Sequence, residues 1–405
     1  MTAPDDPPLH PLGTHSADRL VALDFIRGIA VLGILGANVI GFGQPFIAYH
    51  WPGGFATGPA AADRWLWAAQ FILVDGKMRG LFTLLFGAGL ALFADRTATR
   101  DMALWLPLRR LVWLLAFGLA HFYLLWRGDI LAIYAMCGLL ALLAVNWPWT
   151  QQAAVGAAAW LFGALGGAAT LGGMMGMAQS SLTASRIADG RHEIAIASGG
   201  SYLDYVAHTA TGHTLEWLDV FFNSAPETLP LMLVGMALYR IGLFDGRLDA
   251  KKQARWGWAG IVLGVLLATA IAVWALGEGL GYAATSFAIE GAGAVARIPH
   301  VLGLAALLAV WGASATGWLA RRIGAAGRMA FSNYLGTSLV MLLVFQPPGL
   351  GLLGQLNRGE LYGVMLATWV AMLAWSKPWL EKYRYGPLEW LWRCLTYGQV
   401  FPLRR

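Results

Sequence analysis

Thiols are almost missing from this chain: 405 residues contain two cysteines, Cys137 in an apolar stretch and Cys394 near the C-terminus. That pair gives neither a disulfide framework nor a metal-ligand spacing, so a redox role and a bound metal are not expected. Charge is scarce as well, at 12% of residues against 58% apolar. No soluble domain of ordinary balance has that composition, which places the chain in a bilayer. A Gly-rich phosphate loop and a soluble nucleotide domain are also missing, so any nucleotide-bearing ligand must bind between helices and loops.

What the sequence has in quantity is long apolar runs. A span needs roughly 20 mostly apolar residues, with every backbone polar group bonded inside the helix. Windows of that length predict an all-α polytopic bundle of about ten transmembrane helices, near 20–42, 78–94, 108–126, 129–146, 152–176, 226–242, 256–276, 298–315, 327–347 and 360–376. Residues 62–74 precede the short second window and are read as an interfacial or re-entrant helix that breaks at Asp75-Gly76. Gly163, Gly167, Gly172 and Gly176 form two G-x-x-x-G spacings in the fifth window, which predict close packing on a neighbour.

Lys and Arg cluster in alternate loops, and the others carry acids such as Asp129, Asp204, Glu216 and Glu227. By the positive-inside rule both termini are cytoplasmic. The net charge of +6 then reflects topology and anionic lipid, and nucleic acid is excluded as a partner. Three segments follow: a cytoplasmic tail over 1–19, a transmembrane domain over 20–376 with an outer loop at about 177–225, and an amphipathic tail over 377–405. The tail's Leu388, Leu391, Trp392 and Leu395 make one stripe, expected on the inner membrane surface. The first 18 residues have no basic start and no cleavage site follows them, so the first helix reads as an anchor.

Polar groups at membrane depth carry the functional information. Asp24, Arg27, Gly28, Val31, Leu35 and Asn38 share one helical stripe, with Asp24 and Arg27 either a positioning pair or part of a site. Lys77 and Arg79 open the second span, where a helix N-terminus and a cation can hold an anion or simply meet headgroups. His121 lies deep in the third span, and the chain then turns and re-enters with Asp129 and Tyr134. An imidazole with a carboxylate to orient it is what general-base chemistry on a hydroxyl or amine needs, although a lone His in such a helix also serves as a packing residue. Asn38, Asp129 and Glu227 fall toward the same outer side.

The stretches "LDFIRGIAVLGILGANVIGFG", "FTLLFGAGL", "GLAHFYLLWRGDILAIYA", "GRMAFSNYL" and "GPLEWLWRCLT" resemble the YeiB family of bacterial inner-membrane proteins, the domain-of-unknown-function family 418. Members of that family have been labelled possible transport proteins. The opening "LDFIRG" is similar to the first helix of membrane acyltransferases, including acyltransferase family three and the heparan-α-glucosaminide N-acetyltransferases. The resemblance implies a multi-pass protein of the bacterial cytoplasmic membrane that moves an acyl group from a cytosolic acyl-coenzyme A to an acceptor outside or on a lipid. It implies His121 as base, Asp129 as its orienting carboxylate and Asn38 holding the thioester carbonyl or the acceptor. Arg27, Lys77, Arg79 and Arg328 would contact the donor's phosphates, with Asp24, Tyr134, Glu227, Asn333 and Tyr334 lining the cavity. Arg328 reads equally as the inner anchor of its helix. In the glucosaminide enzymes the essential His follows the first helix, where His50 stands here, but the position of His121 matches the family pattern better. A permease with a midplane site and a non-catalytic membrane protein are the alternatives, and a homodimer is left open.

Overall fold

The computed structural model describes residues 21–58, 62–97, 104–175, 180–347 and 349–405. The N-terminal tail expected over 1–19 lies outside them. Sixteen α-helices follow one another: α1 (Val21–Gly43), α2 (Asp63–Leu73), α3 (Lys77–Thr97), α4 (Trp105–Leu124), α5 (Leu131–Ala141), α6 (Trp149–Met174), α7 (Ser180–Gly199) and α8 (Tyr202–Gly212) come first. Then come α9 (Glu216–Ile241), α10 (Ala250–Gly277), α11 (Tyr282–Ser286), α12 (Gly293–Ser314), α13 (Trp318–Arg328), α14 (Ala330–Phe345), α15 (Arg358–Lys382) and α16 (Pro387–Tyr397). No strand occurs among the described residues; Tyr383 and Arg404 form an isolated bridge.

Helices stand at all ten expected positions, yet among the described residues five are long and apolar enough to cross a membrane, or six if the bent pair α13–α14 is one span. The five are α1, α2 with α3, α6, α10 and α11 with α12. The expected break at Asp75-Gly76 is present, with Gly76 at a positive φ of 71°. The outer loop expected at about 177–225 is largely helical, since α7 and α8 fill it and α9 begins within it.

α1 is apolar nearly all round, which suits a helix with neighbours on every side. Its residues enter three apolar clusters: Leu23, Ile26 and Ala30 in one, Val31, Leu32 and Ile34 in the second, Leu35, Val39 and Ile40 in the third. α6 and α10 lie at the rim and turn Phe162, Trp256, Leu266 and Val273 outward, as lipid-facing helices do. Glycines set the closest crossings. A Cβ at Gly87 would drive into the Met232 carbonyl and one at Gly235 into the Leu84 carbonyl, so α3 and α9 touch backbone to backbone. Gly163 packs on Pro226 in the same way, which joins α6 to α9.

The helix expected over 327–347 is broken. Gly327 and Arg328 belong to α13, and α14 leaves it at 86°. The exposed N–H groups at the start of α14 are capped from the tail: Glu389 Oε1 accepts from Phe331 N at 2.8 Å and Ser332 N at 3.0 Å, and Oε2 accepts from Ser332 Oγ at 2.5 Å. Burial pushes the Glu389 carboxyl above the usual range, while these hydrogen bonds favour its ionised form. The tail is therefore held by contacts with the protein itself. Trp392 lies tilted against Phe331 with ring centroids 5.4 Å apart, and its indole N–H donates to the Arg110 carbonyl at 2.9 Å.

Two tests follow from this packing. Gly235→Val should cost more than the usual 1–3 kcal/mol of overpacking, about, and lower the melting temperature in detergent by several degrees. Gly166→Ala, where a Cβ meets nothing within 4 Å, should melt as the wild type does; equal melts for both variants would show that the α3–α9 crossing is loose. Glu389→Ala removes a cap worth about 0.5–2 kcal/mol and should speed tryptic cleavage at Arg384 and Arg393 several-fold. Unchanged cleavage would mean that other contacts hold the tail.

Candidate functional site

His121 sits in the last turn of α4, where its own carbonyl accepts the N–H groups of Leu125 and Trp126 and closes the helix. The chain then turns back through Asp129, whose Oδ2 accepts the Ala132 N–H at 2.7 Å and starts α5. This local geometry points Asp129 Oδ1 at His121 Nδ1, 2.8 Å away, with both side chains fully buried. A carboxylate can only accept, so the proton of a neutral imidazole lies on Nδ1 and Nε2 keeps its lone pair. That lone pair faces Ser338 Oγ at 2.8 Å. Asp129, His121 and Ser338 thus form a carboxylate–imidazole–hydroxyl relay. Sequence reasoning missed Ser338, because a serine in an apolar helix reads as bonding its own backbone, and it does also lie 3.3 Å from the Tyr334 carbonyl.

Ser338 lines a small pocket between α1 and α14. Val31, Ile34, Leu35 and Asn38 of α1 form one wall, and Tyr334, Thr337 and Ser338 of α14 the other. Asn38 Oδ1 accepts the Tyr49 hydroxyl at 3.2 Å, which leaves the amide N–H groups as the donors it can offer the cavity. Tyr334 packs its ring 5.1 Å from the His121 ring, and its hydroxyl accepts the Ile130 N–H at 3.3 Å.

A second polar group stands at the same end of the bundle. Glu227 binds Arg79 at 2.6 Å and Arg297 at 2.5 Å, and Arg297 also donates to the Ile289 carbonyl at 2.7 Å. Tyr134 belongs here rather than to the imidazole: its hydroxyl donates to the Arg79 carbonyl at 3.0 Å and lies 2.7 Å from Thr83 Oγ1. Arg297 was not expected from sequence; its place in the turn after a π-helical segment, Phe287–Ala292, gave no amphipathic signal. His50 is paired with Glu290 at 3.0 Å, away from the relay.

Other expected site residues lie elsewhere. Lys77 is buried, donates to the Phe71 carbonyl and lies 4.8 Å over the Phe71 ring, so it closes the C-terminal end of α2 instead of offering an anion site. Asn333 spends its amide on the Ala326 carbonyl, Ser376 Oγ and the Trp375 indole, and joins α13 and α15 rather than lining the cavity. Asp24 pairs with Arg27 at 3.7 Å near the start of α1. Eleven residues separate Arg27 from Asn38, a rise of about 16 Å, so Asp24 and Arg27 stand at the opposite end from the relay. Arg328 is at that far end too, 3.4 Å from the Arg384 carbonyl, and so the four expected donor-binding cations split between two ends.

Above the relay lies a larger pocket, lined by Phe42, Trp126, Arg127, Glu193, His208 and Gln346 among others. Phe42 lines both cavities, and it stacks on Trp126 with ring centroids 3.9 Å apart. Gln346 Oε1 is buried there without a donor among the described residues. Arg127, from the α4–α5 turn, reaches up to α7 and binds Glu193, with Asp189 at 3.6 Å and Glu216 at 3.4 Å. Burial raises the Glu193 carboxyl and Arg127 opposes the rise, while burial and the neighbouring His213 hold the His208 imidazole below its ordinary pKa.

No solved structure matches the chain. The family model described as protein of unknown function (DUF418) matches residues 238–399, a segment that holds Ser338 and the Glu389 cap but not His121 or Asp129. The uncharacterized protein YeiB of Escherichia coli (strain K12) is 31% identical over 390 residues, 95% of this chain and 98% of that protein. The uncharacterized protein YxaH of Bacillus subtilis (strain 168) is 27% identical over 97% of this chain and 98% of its own length. With relatives aligned from end to end and the family model covering the segment that closes the site, the chain belongs to the YeiB family.

Proposed function

We propose that this protein is a membrane acyltransferase that carries an acyl group from a cytosolic acyl-coenzyme A to a hydroxyl or amine on the other side of the bacterial cytoplasmic membrane. The observation that carries the reading is the buried Asp129–His121–Ser338 relay facing the cavity that Asn38 lines. The reading includes ten crossings with both termini cytoplasmic, so that Arg27 and Arg328 meet the donor's phosphates at the inner end. The pantetheine arm then runs along α1 toward Asn38.

Each residue has a step in this scheme. His121 Nε2 takes the Ser338 proton as Oγ attacks the thioester carbonyl, and the Asn38 amide N–H groups steady the oxygen where negative charge develops. The carbon–sulfur bond breaks, the proton passes from His121 to the departing thiolate, and Ser338 holds the acyl group as an ester. The acceptor's hydroxyl or amine then gives its proton to Nε2 as it attacks that ester; the carbon–oxygen bond breaks and Ser338 regains the proton. Asp129 holds the imidazole in the tautomer that both steps need. Gln346 Oε1, a buried acceptor without a donor, supports an N–H- or O–H-bearing acceptor in the outer cavity. Arg79 and Arg297 neutralise Glu227 beside that path.

Acyl-coenzyme A consumption by the purified protein tests the scheme. His121→Ala and Ser338→Ala should each lower turnover by about 10²–10⁴-fold while both proteins keep the thermal shift given by free coenzyme A. Acid-quenched wild type should carry the acyl mass on the peptide that contains Ser338. Full activity in Ser338→Ala with loss in His121→Ala would remove the covalent step and make His121 the direct base on the acceptor. If millimolar acyl-coenzyme A neither shifts the melt nor is consumed, the reading fails, and solute uptake into proteoliposomes becomes the measurement for the permease alternative.

A further inference from the structure

The cap formed by α7 and α8 holds a cluster that the relay does not use. Asp189 of α7, His208 of α8 and His213 of the α8–α9 loop bring their donor atoms within 4.8 Å of one another. His208 Nε2 and His213 Nε2 are 3.4 Å apart, and each lies 3.7 Å from Asp189 Oδ1. All three separations are too long for good hydrogen bonds, which run from about 2.7 to 3.2 Å. They suit the edges of a metal polyhedron. The nearest point equidistant from the three atoms lies in their plane, about 2.1 Å from each, so a small inward movement of the ligands completes a tetrahedral site with zinc–nitrogen and zinc–oxygen bonds of about 2.0–2.2 Å.

We propose that Asp189 Oδ1, His208 Nε2 and His213 Nε2 bind a divalent first-row transition metal of the zinc type, which fastens the cap over the outer cavity.

The surroundings fit such an ion. A metal-binding imidazole needs its other nitrogen held, and His213 Nδ1 faces Glu216 Oε2 at 2.7 Å, the carboxylate–imidazole–metal arrangement that fixes tautomer and ring direction. Arg127 is the group an ion must displace: its Nη1 is 3.0 Å from Nδ1 and 2.8 Å from Nε2 of His213, and Glu193 and Glu216 can hold the guanidinium once it moves off Nε2. Charge argues the same way: Glu193, Asp189 and Glu216 gather around Arg127, with Arg186 the further cation near Glu216, and the carboxylates outnumber the guanidiniums. Asp189 keeps 36% side-chain exposure and the two histidines 13% and 15%, which leaves a way in for an ion and room for a water as fourth ligand. The spacing of one Asp and two His over 25 residues has no helical or loop regularity, so the sequence alone did not mark it as a metal set. The proposal does not depend on acyl transfer.

The test uses the full-length protein in detergent, with any affinity tag removed, stripped by EDTA, returned to metal-free buffer and titrated with Co²⁺ alone. Wild type should take up one equivalent at micromolar concentration, develop the visible bands of nitrogen- and oxygen-ligated cobalt, and melt higher when loaded. Zn²⁺ should displace the cobalt. His208→Ala, His213→Ala and Asp189→Asn should each weaken uptake at least ten-fold, and His50→Ala should bind as wild type does. If a ligand variant fails to fold, Glu216→Gln keeps all three ligands and should still weaken binding by about 10-fold or more through the lost orientation of His213. Cobalt bound equally by wild type and by the folded His208→Ala/His213→Ala protein, or by neither at micromolar concentration, would overturn the site.

Discussion

The crossing of α1 on α13 is the constraint on which the rest of the molecule is built. A Cβ at Gly28 would drive into the Ile323 carbonyl, and one at Gly327 into the Asp24 carbonyl, so each helix presents its glycine to the other's backbone. In a bilayer no hydrophobic force draws helices together, and close backbone approach is the main gain available. The crossing fixes the lower half of α1. Because α14 leaves α13 at 86°, capped by Glu389, it rises beside the upper half of the same helix. Residues 31, 34, 35 and 38 of α1 then face 334, 337 and 338 of α14 across the small cavity, one helical stripe against another.

This geometry explains which parts of the site the sequence disclosed. His121, Asp129 and Asn38 were visible because a polar side chain at membrane depth is expensive and its presence needs a reason. Ser338 was not, since a hydroxyl that can bond its own helix costs little, and its partner lies 217 positions away in the chain. The grouping of Arg27 with Lys77 and Arg79 failed for a topological reason: Gly89 of α3 lies against the Arg27 guanidinium, so α3 runs antiparallel to α1 and its first residues stand at the far end. Charge type alone could not reveal that the α3 cations face α2 and α9.

The fold was legible to a similar degree. Apolar length located a helix at each of ten positions, but it did not reveal the bend at Met329, because the sequence there has no proline and its causes are remote. They are the α1 carbonyl against Gly327 and the Glu389 carboxylate on the N–H groups of Phe331 and Ser332. The stripe in the tail was legible as amphipathic, and its partner was not: Leu388 and Trp392 pack against the main apolar cluster.

The short segment from His121 to Asp129 ties the cap to the relay. It carries, in order, the imidazole, the Trp126 ring that stacks on Phe42 and lines the larger pocket, the Arg127 guanidinium that binds α7, and the carboxylate that orients the imidazole. Trp126 donates its indole N–H to the Gly41 carbonyl at 3.3 Å, so the segment is also pinned to the end of α1. Only Gly128 separates Arg127 from Asp129, and its Cβ position is filled by the Trp126 ring, which leaves the turn little freedom to absorb a shift. The carboxylates around Arg127 thus hold α7 to the same turn that carries Asp129, the partner of the His121 imidazole.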